Sequence, residues 1–289
     1  MSKLIILRGL PAAGKSQKSA ELLAEYGNAV RINRDLLRTM LHFDVWTGRK
    51  ERITKKASRA LAEALLEDVG VLLIDDCNLH QGTVESWRQL AREHDATFEI
   101  IRLDTSLEEC LYRDSFREKS VGRHVIIGMA MQYGLFPTPA KGFVLCDLDG
   151  TLCNIEHRLH YVRQEPKDWD AFFSAIPNDI TRADVLGIIE GYALEGYQIV
   201  FVSGRPDNYR QPTELWLSQT FPHYVTILMR RAGDHRPDTV VKEEILRTYF
   251  PEQSWIHCVI DDRRRILDMW KRNLPDAQIM NVGGEENDF

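Results

Sequence analysis

Residues Gly9 to Ser16, GLPAAGKS, constrain this chain more than any other stretch. They satisfy the spacing G-x-x-x-x-G-K-S. A short apolar run, Leu4-Ile5-Ile6-Leu7, comes before them, and a helix-like stretch from Gln17 to Tyr26 follows. A strand, a glycine-rich turn, Lys-Ser and a helix together make a phosphate-binding loop. Gly9 and Gly14 free the backbone to curl, so that several N–H groups face one anion. The helix N-terminus adds unsatisfied donors and a partial positive charge. Lys15 would reach the outer phosphates of a nucleoside triphosphate, and Ser16 would hold Mg²⁺. A nucleoside triphosphate and Mg²⁺ are therefore the expected ligands of the first half.

A chain of 289 residues is long enough for two domains with full cores. Its net charge of −6 argues against non-specific coating of nucleic acid. The charge is uneven: up to Ala140 there are 20 Lys+Arg against 19 Asp+Glu, and from Lys141 onward 17 against 24. An acidic second half can still grip a phosphate if it supplies a divalent metal. Cys77, Cys110, Cys146, Cys153 and Cys258 are scattered without a C-x-x-C, as expected of thiols in a reducing compartment. No apolar run is long enough to span a membrane, and the first strand starts too close to Met1 for a signal peptide. A cytoplasmic location without a membrane partner is expected.

The first half reads as strands alternating with helices, a doubly wound α/β domain. Ala29-Val30-Arg31-Ile32 is a strand that runs into Asn33-Arg34-Asp35 and a helix bearing Arg38. A carboxylate at a strand's carboxyl end faces the ligand crevice of such a sheet. Asp35 is thus a candidate general base for a hydroxyl acceptor, and Arg38 could hold an acceptor phosphate. An N-capping Asp beside a solvated Arg would look the same. Residues 50–66 read as an amphipathic helix with a basic start, either a solvated face or a contact for an acceptor strand. Gly70-Val71-Leu72-Leu73-Ile74 is a buried strand ending in Asp75-Asp76, with Asn78 close behind. One of these carboxylates suits Mg²⁺ or the acceptor. After a strand at 98–103, Arg113 and Arg117 lie four apart on one helix face and Arg123 follows in a loop. They are either solvated charge or a segment that neutralises a transferring phosphoryl group.

Residues 135–142 are rich in breakers and mark the domain boundary, giving 1–138 and 139–289. The strand Phe143-Val144-Leu145-Cys146 ends in Asp147-Leu148-Asp149-Gly150-Thr151. Two carboxylates at a strand tip can divide labour as nucleophile and acid/base, and they need a metal to offset their repulsion of a phosphate. A later strand ends in Ser203-Gly204-Arg205, Lys242 opens a helix, and Cys258-Val259-Ile260 runs into Asp261-Asp262, a second acidic strand tip suited to Mg²⁺.

D-L-D-G-T, S-G-R, Lys242 and D-D, in this order, resemble the haloacid dehalogenase phosphatase superfamily, whose fold is Rossmann-like. A P-loop kinase placed ahead of such a phosphatase resembles the bacteriophage-type polynucleotide kinase/3′-phosphatase family, over nearly the whole chain. The resemblance implies Asp147 as the nucleophile, and Asp149 as the acid that protonates the leaving group and later activates water. It implies Ser203 and Lys242 as phosphate ligands, and Asp262, Asp147 and the Asp149 carbonyl as Mg²⁺ ligands, with Asp261 positioning Lys242. I-N-R-D-L-L-R resembles the acceptor motif, implying Asp35 as base and Arg38 as phosphate ligand. D-C-N at Asp76 to Asn78 resembles the next motif. Arg117 matches the lid arginine and Arg113 a supporting one. Arg158, Arg205, Arg230 and Arg236 fall where the family sets arginines on the 3′ end. Residues 153–177 depart from the pattern, with His157, His160 and Trp169 added. ATP as the phosphoryl donor, a homotetramer, cooperation with a ligase and a host cytosol are also implied.

The reading is a bifunctional enzyme that heals RNA or DNA ends. It would phosphorylate 5′-hydroxyls and remove 3′-phosphates or 2′,3′-cyclic phosphates. A small-metabolite kinase fused to a metabolite phosphatase is the alternative. A catalytically dead binding module is disfavoured by the presence of Lys15, Ser16, Asp35, Asp147 and Asp149 together. If Asp35 is the base, Asp35→Asn lowers kinase kcat more than it weakens ATP affinity. Steady-state kinetics with ATP varied checks this, and an unchanged kcat would remove Asp35 from that role.

Overall fold

A computed structural model describes residues 2–283. The chain divides at Tyr133/Gly134 into two compact units.

In the first unit, β1 (Lys3–Arg8), β2 (Ala29–Ile32), β3 (Val71–Ile74) and β4 (Thr97–Arg102) form a wholly parallel sheet in the order β2-β3-β1-β4. Its helices are α1 (Lys15–Glu25), α2 (Arg34–His42), α3 (Gly48–Leu65), α4 (Gln81–Glu93), α5 (Leu107–Ser115) and α6 (Arg123–Gln132). The middle strand buries Leu4, Ile5, Ile6 and Leu7 completely, because apolar side chains cover both faces of a parallel sheet. Leu4, Ile6, Leu72 and Ile74 pack on Trp87 and Leu90, while Ile5, Leu7 and Leu73 pack on Leu22. Helix starts are capped where the sequence offers a short polar side chain. Asn33 accepts from the Leu36 amide at 3.0 Å, Thr47 from Lys50 at 3.2 Å and Ser106 from Glu109 at 3.2 Å.

Parallel strands deliver everything that follows them to one edge of the sheet. Asn78 fastens that edge. It adopts a left-handed backbone with φ 45°, and its buried Nδ2 donates to the carbonyls of Leu7 at 2.8 Å, Asp76 at 3.2 Å and Ile74 at 3.3 Å. The ends of β1 and β3 are thereby tied together.

The second unit repeats the plan. β5 (Phe143–Cys146) lies at the centre of a parallel sheet in the order β11-β10-β5-β8-β9. A two-stranded antiparallel ribbon, β6 (Cys153–Asn154) with β7 (Ile180–Thr181), follows β5 and brackets the short helices α7 (His160–Arg163) and α8 (Trp169–Ser174). This insertion carries no legible sequence pattern, since each piece is too short for a helical or strand period to register. The remaining elements are α9 (Ala183–Leu194), β8 (Gln198–Pro206), α10 (Arg210–Thr220), β9 (Thr226–Arg230), α11 (Asp238–Tyr249), β10 (Ile256–Asp261), α12 (Arg264–Asn273) and β11 (Gln278–Asn281). Cys146, Phe201, Cys258 and Ile260 from three neighbouring strands build one core with Trp216 and Ile189. The expected α/β class with two parallel sheets holds. Among the described residues, no helix is long and apolar enough to cross a membrane.

Asn78→Gly keeps the left-handed backbone and removes only the clasp. Loss of a buried hydrogen-bonding side chain costs about 1–3 kcal/mol, so the midpoint of chemical denaturation of the first unit falls. An unchanged midpoint would mean the three bonds contribute nothing net.

Candidate active sites

The loop after β1 is curled by two left-handed residues, Ala12 with φ 62° and Gly14 with φ 94°. At Gly14 the absence of a side chain matters, since L residues rarely adopt that backbone. Lys15 bends over the loop, its Nζ donating to the carbonyls of Gly9 at 3.1 Å and Leu10 at 2.6 Å. Gly9 runs close to β4, where an added Cβ would meet the Leu103 carbonyl at 3.0 Å. Ser16 Oγ donates to Asp75 at 3.2 Å, and Arg31 Nε donates to the same carboxylate at 2.8 Å. Asp75, not Asp76, is therefore the carboxylate beside the loop. Asp76 is turned to Arg34, accepting its backbone N–H at 3.0 Å and its Nε at 2.7 Å, and burial raises its pKa against that arginine. Asp76 forms an internal ion pair with Arg34, and Asn78 serves as the backbone clasp described above. Where the extended backbone runs on from β3, neighbouring residues point to opposite sides, and Asp75 is the one that faces Ser16.

Asp35 sits in the first turn of α2 with its side chain 81 % exposed, 2.6 Å from Arg38 Nη1. Arg38 also meets Glu51 of α3 at 2.9 Å, and Glu51 in turn lies 3.5 Å from Arg34. Arg38 is thus held between two carboxylates. The sequence offered no hint of Glu51, because it lies on a different helix. Arg113 pairs with Glu109 at 2.6 Å, and its Nη1 lies 3.6 Å from where a Cβ on Gly14 would stand, placing this guanidinium over the loop. Asp114 is buried and accepts from Ser120 Oγ at 2.6 Å, Gly122 N at 3.0 Å and Val121 N at 3.2 Å. Against the effect of burial, these donors hold its pKa below the usual carboxylate range. They anchor the segment that carries the half-exposed Arg117, which is 3.6 Å from Asp114.

In the second unit, Asp147 follows β5 and Asp261 and Asp262 follow from β10, its neighbour in the sheet. Lys242 of α11 reaches between them, 2.8 Å from Asp147 and 2.7 Å from Asp261. All four are buried. Thr151 donates to Asp262 at 3.0 Å. Gly150, with φ 85°, leaves the space that the Asp262 carboxylate occupies, and any Cβ there would collide with it. Burial, opposed by Lys242 and reinforced by Asp261 and Asp262, pushes Asp147 up to about 8. Burial and then Asp261 raise Asp262 as well. Despite its burial, Lys242 is raised by Asp147 and then Asp261, so it stays charged.

Asp149 has the opposite surroundings. Arg205 Nε donates to it at 3.0 Å and Arg158 Nη2 at 2.5 Å, and both guanidiniums also bind the buried Asp179. Against burial, Arg205 and then Arg158 hold Asp149 well below the usual carboxylate range. Arg158 and Arg205 were expected on the 3′ end of a substrate. Both are fully buried instead and work through Asp149, with Arg158 stacked on Phe172 at 4.2 Å. Asp179 was missed, because it comes from the insertion whose elements the sequence did not reveal. Ser203 is buried at the tip region of β8 and accepts from the Arg205 amide at 3.2 Å. Arg230 and Arg236 also have intramolecular partners. Arg230 donates to the carbonyls of Gly204, Asp234 and Arg236, clasping the loop before α11. Arg236 is an exposed partner of Asp234 and Glu244. Arg263 was not singled out, yet it meets Asp238 at 2.8 Å beside Arg230. Of the added residues, His157 lies 3.7 Å from Asp179, His160 makes a tilted ring contact with Tyr161, and Trp169 is half exposed.

The donor set fits a hard divalent cation in both units. Asp147, Asp261 and Asp262 offer oxygens that all lie within 4.8 Å of one another, and a single ammonium leaves two negative charges unmatched. Ser16 with Asp75 offers a hydroxyl and a carboxylate beside the phosphate loop. Fold and sites together define a two-unit α/β protein, one unit built on a phosphate loop and the other on clustered aspartates at a strand edge. Residues 141–285, half of the chain, match the family model for the polynucleotide kinase PNKP phosphatase domain, and residues 4–135 match an AAA domain model. The chain belongs to the polynucleotide kinase PNKP phosphatase domain family.

A viral protein of Autographa californica nuclear polyhedrosis virus, provisionally named a bifunctional polynucleotide kinase/RNA ligase, is 26% identical over 97% of this chain and 42% of its own length. An L-seryl-tRNA(Sec) kinase of Methanococcus maripaludis is 30% identical over 48% of this chain and 54% of its own. The chain thus spans about half the length of these curated relatives. A chain of a solved Pnkp1/Rnl/Hen1 complex is 26% identical and aligns over 100% of this chain and 98% of its own, with a TM-score of 0.43.

Removing one like charge from the cluster relieves repulsion. Asp262→Asn in metal-free buffer therefore leaves the melting temperature unchanged or raises it. The rise that Mg²⁺ produces in the wild type by binding the native state disappears in the variant. Thermal melts with and without Mg²⁺ read both effects, and a variant that keeps the full rise would exclude Asp262 as a ligand.

Proposed function

We propose that the chain is a bifunctional nucleic-acid end-healing enzyme. The first unit moves the γ-phosphate of ATP to a 5′-hydroxyl, and the second removes a 3′-phosphate or opens a 2′,3′-cyclic phosphate. The observation that carries the reading is the Lys242-bridged aspartate cluster, built downstream of a phosphate loop on one polypeptide.

In the kinase unit, Lys15 leaves its carbonyl partners for the outer phosphates of ATP, and the loop amides hold the rest. Ser16 and Asp75 would hold Mg²⁺, which neutralises phosphoryl oxygens when bound. Asp35 takes the acceptor proton as the hydroxyl oxygen bonds to the γ-phosphorus and the bond to the β–γ bridging oxygen breaks. Arg38, set by Glu51, orients Asp35 and gives the acceptor phosphate a cation. Arg113 and Arg117 match the charge that spreads over the transferring group.

In the phosphatase unit, Asp147 attacks the phosphorus with the carboxylate oxygen that Lys242 does not hold. The bond to the 3′ oxygen breaks, and that oxygen takes a proton from Asp149. Asp149 then takes a proton from water, whose oxygen displaces Asp147 and releases inorganic phosphate. Asp149 starts as a carboxylate clamped by Arg205 and Arg158. An arriving phosphate adds negative charge nearby and raises the proton affinity of Asp149, which takes up one proton from solvent water before it donates to the 3′ oxygen. Lys242 and Ser203 balance the phosphoryl charge. Asp147, Asp262 and the Asp149 carbonyl would hold the Mg²⁺, whose charge lets two anions approach. The pairing of a kinase with an RNA ligase in the name of the viral relative supports a ligase as the next enzyme to act on these ends.

Incubation with labelled ATP and a 5′-hydroxyl, 3′-phosphate oligonucleotide tests both halves. The expected result is a labelled strand and free phosphate, with Lys15→Ala abolishing only the label and Asp147→Asn only the phosphate release. No labelled oligonucleotide, with label appearing on small metabolites, would pass the reading to a metabolite kinase fused to a metabolite phosphatase.

A further inference from the structure

The kinase unit exposes apolar side chains that its fold does not use. Phe43 is 90 % exposed and Trp46 63 % exposed, in the connection between α2 and α3. Leu36 and Met40 continue the stripe back along α2, at 60 % and 68 %. Phe43 and Asp44 both take left-handed backbone, with φ 52° and 63°, although neither is glycine. That conformation is uncommon for a bulky residue. It is held by Asp44, which accepts from Thr39 Oγ1 and pairs with Lys119 at 3.1 Å. The backbone is thus braced in an unfavourable form that keeps an aromatic ring away from the core. Lys119 belongs to the segment that carries Arg117, so the brace also sets this connection beside the arginine segment.

The chemistry beside the rings is cationic. Arg49, Arg52, Lys55 and Lys56 are exposed on the first turns of α3, and none of them has an acidic partner among the described residues. Arg49, Arg52 and Lys56 share one helix face by their spacing. Exposed rings next to unpaired cations meet the two demands of a single-stranded nucleic acid, stacking surface for bases and charge for the backbone. A second copy of this chain, net acidic in its second half, would match the cations but not the need for planar partners at the rings.

We propose that the α2–α3 connection and the basic start of α3 form a docking platform for the single-stranded acceptor, engaging it a few nucleotides from the reacting 5′ end. This rests on the nucleic-acid reading above and names a site outside the catalytic crevice. Phe43 is eight residues beyond Asp35 along α2. At ~1.5 Å per residue that is about 12 Å, or roughly three to four nucleotides of a stacked strand at ~3.4 Å each. A dinucleotide cannot reach the platform, and a strand of about 12 nucleotides covers it.

Kinase assays compare these two 5′-hydroxyl acceptors in the wild type and in Phe43→Ala/Trp46→Ala. Both side chains are exposed, so the fold tolerates the change. The expected result is a KM rise of about ten-fold or more, confined to the longer acceptor. An otherwise identical acceptor lacking bases at its third to fifth positions gives the wild type the same loss. Arg52→Gln/Lys56→Gln flattens the dependence of log KM on log salt by roughly one to two units of slope. If the double aromatic variant phosphorylates the longer acceptor with wild-type KM, the platform is refuted while the kinase reading stands. If the wild type phosphorylates no oligonucleotide, both fall. If the aromatic variant changes only the sedimentation coefficient, the face is a contact between copies and the platform is overturned.

Discussion

A buried ammonium shared by two carboxylates underlies the second unit. Lys242 stands 2.8 Å from Asp147 and 2.7 Å from Asp261, with Asp262 adjoining. At an effective dielectric of about 20, two unit charges about 4 Å apart interact by ~4 kcal/mol. Attraction and repulsion at equal distance are equal in size, so one ammonium offsets about one carboxylate. The excess negative charge remains as a standing demand for cations. Burial raises Asp147 and Asp262, this excess adds to the rise, and their protonation relieves part of the same excess. A phosphate alone would find this place repulsive. A divalent ion reverses that balance, which is why an acidic cluster can serve an anionic substrate.

Parallel strands make such a cluster possible. β5 and β10 are neighbours and run the same way, so their last residues meet although more than a hundred positions separate them in sequence. The same geometry brings the phosphate loop after β1 to Asp75 after β3 in the first unit. The two units then treat an anion differently. The first offers backbone amides, a lysine and arginines. The second offers carboxylates that need a cation before they can act. Asp147 and Asp149 stand two residues apart, and their surroundings push them in opposite directions. Asp147 rises through burial and through crowding by like charges, whereas Asp149, despite its burial, is clamped by two arginines and falls. Two carboxylates so close in sequence thus end with divergent proton affinities, set by their surroundings alone.

Much of this was open to a reader of the sequence. GLPAAGKS, the apolar runs ending in acidic residues and the breaker-rich joint each carry their message within about ten positions. Backbone hydrogen bonding and side-chain alternation work over that range. The parallel sheets, the phosphate loop and the acidic strand tips followed from them. The partner of each charged group did not. Glu51 holding Arg38, Asp179 holding Arg158 and Arg205, and Arg31 joining Ser16 at Asp75 all depend on which helices and strands pack together. Four arginines read as open to substrate have internal partners, because a guanidinium at the end of a long flexible stem can satisfy several different acceptors.

The sequence by itself determined the elements, their order and the chemical character of each strand tip, since those depend on contacts between near neighbours along the chain. Only the tertiary structure decided which of Asp75 and Asp76 faces Ser16, that Asp149 is clamped while Asp147 is crowded, and that Phe43 stands in solvent. Each of these outcomes is set by charges and surfaces brought close across long stretches of chain, where distance in sequence carries no information about distance in space.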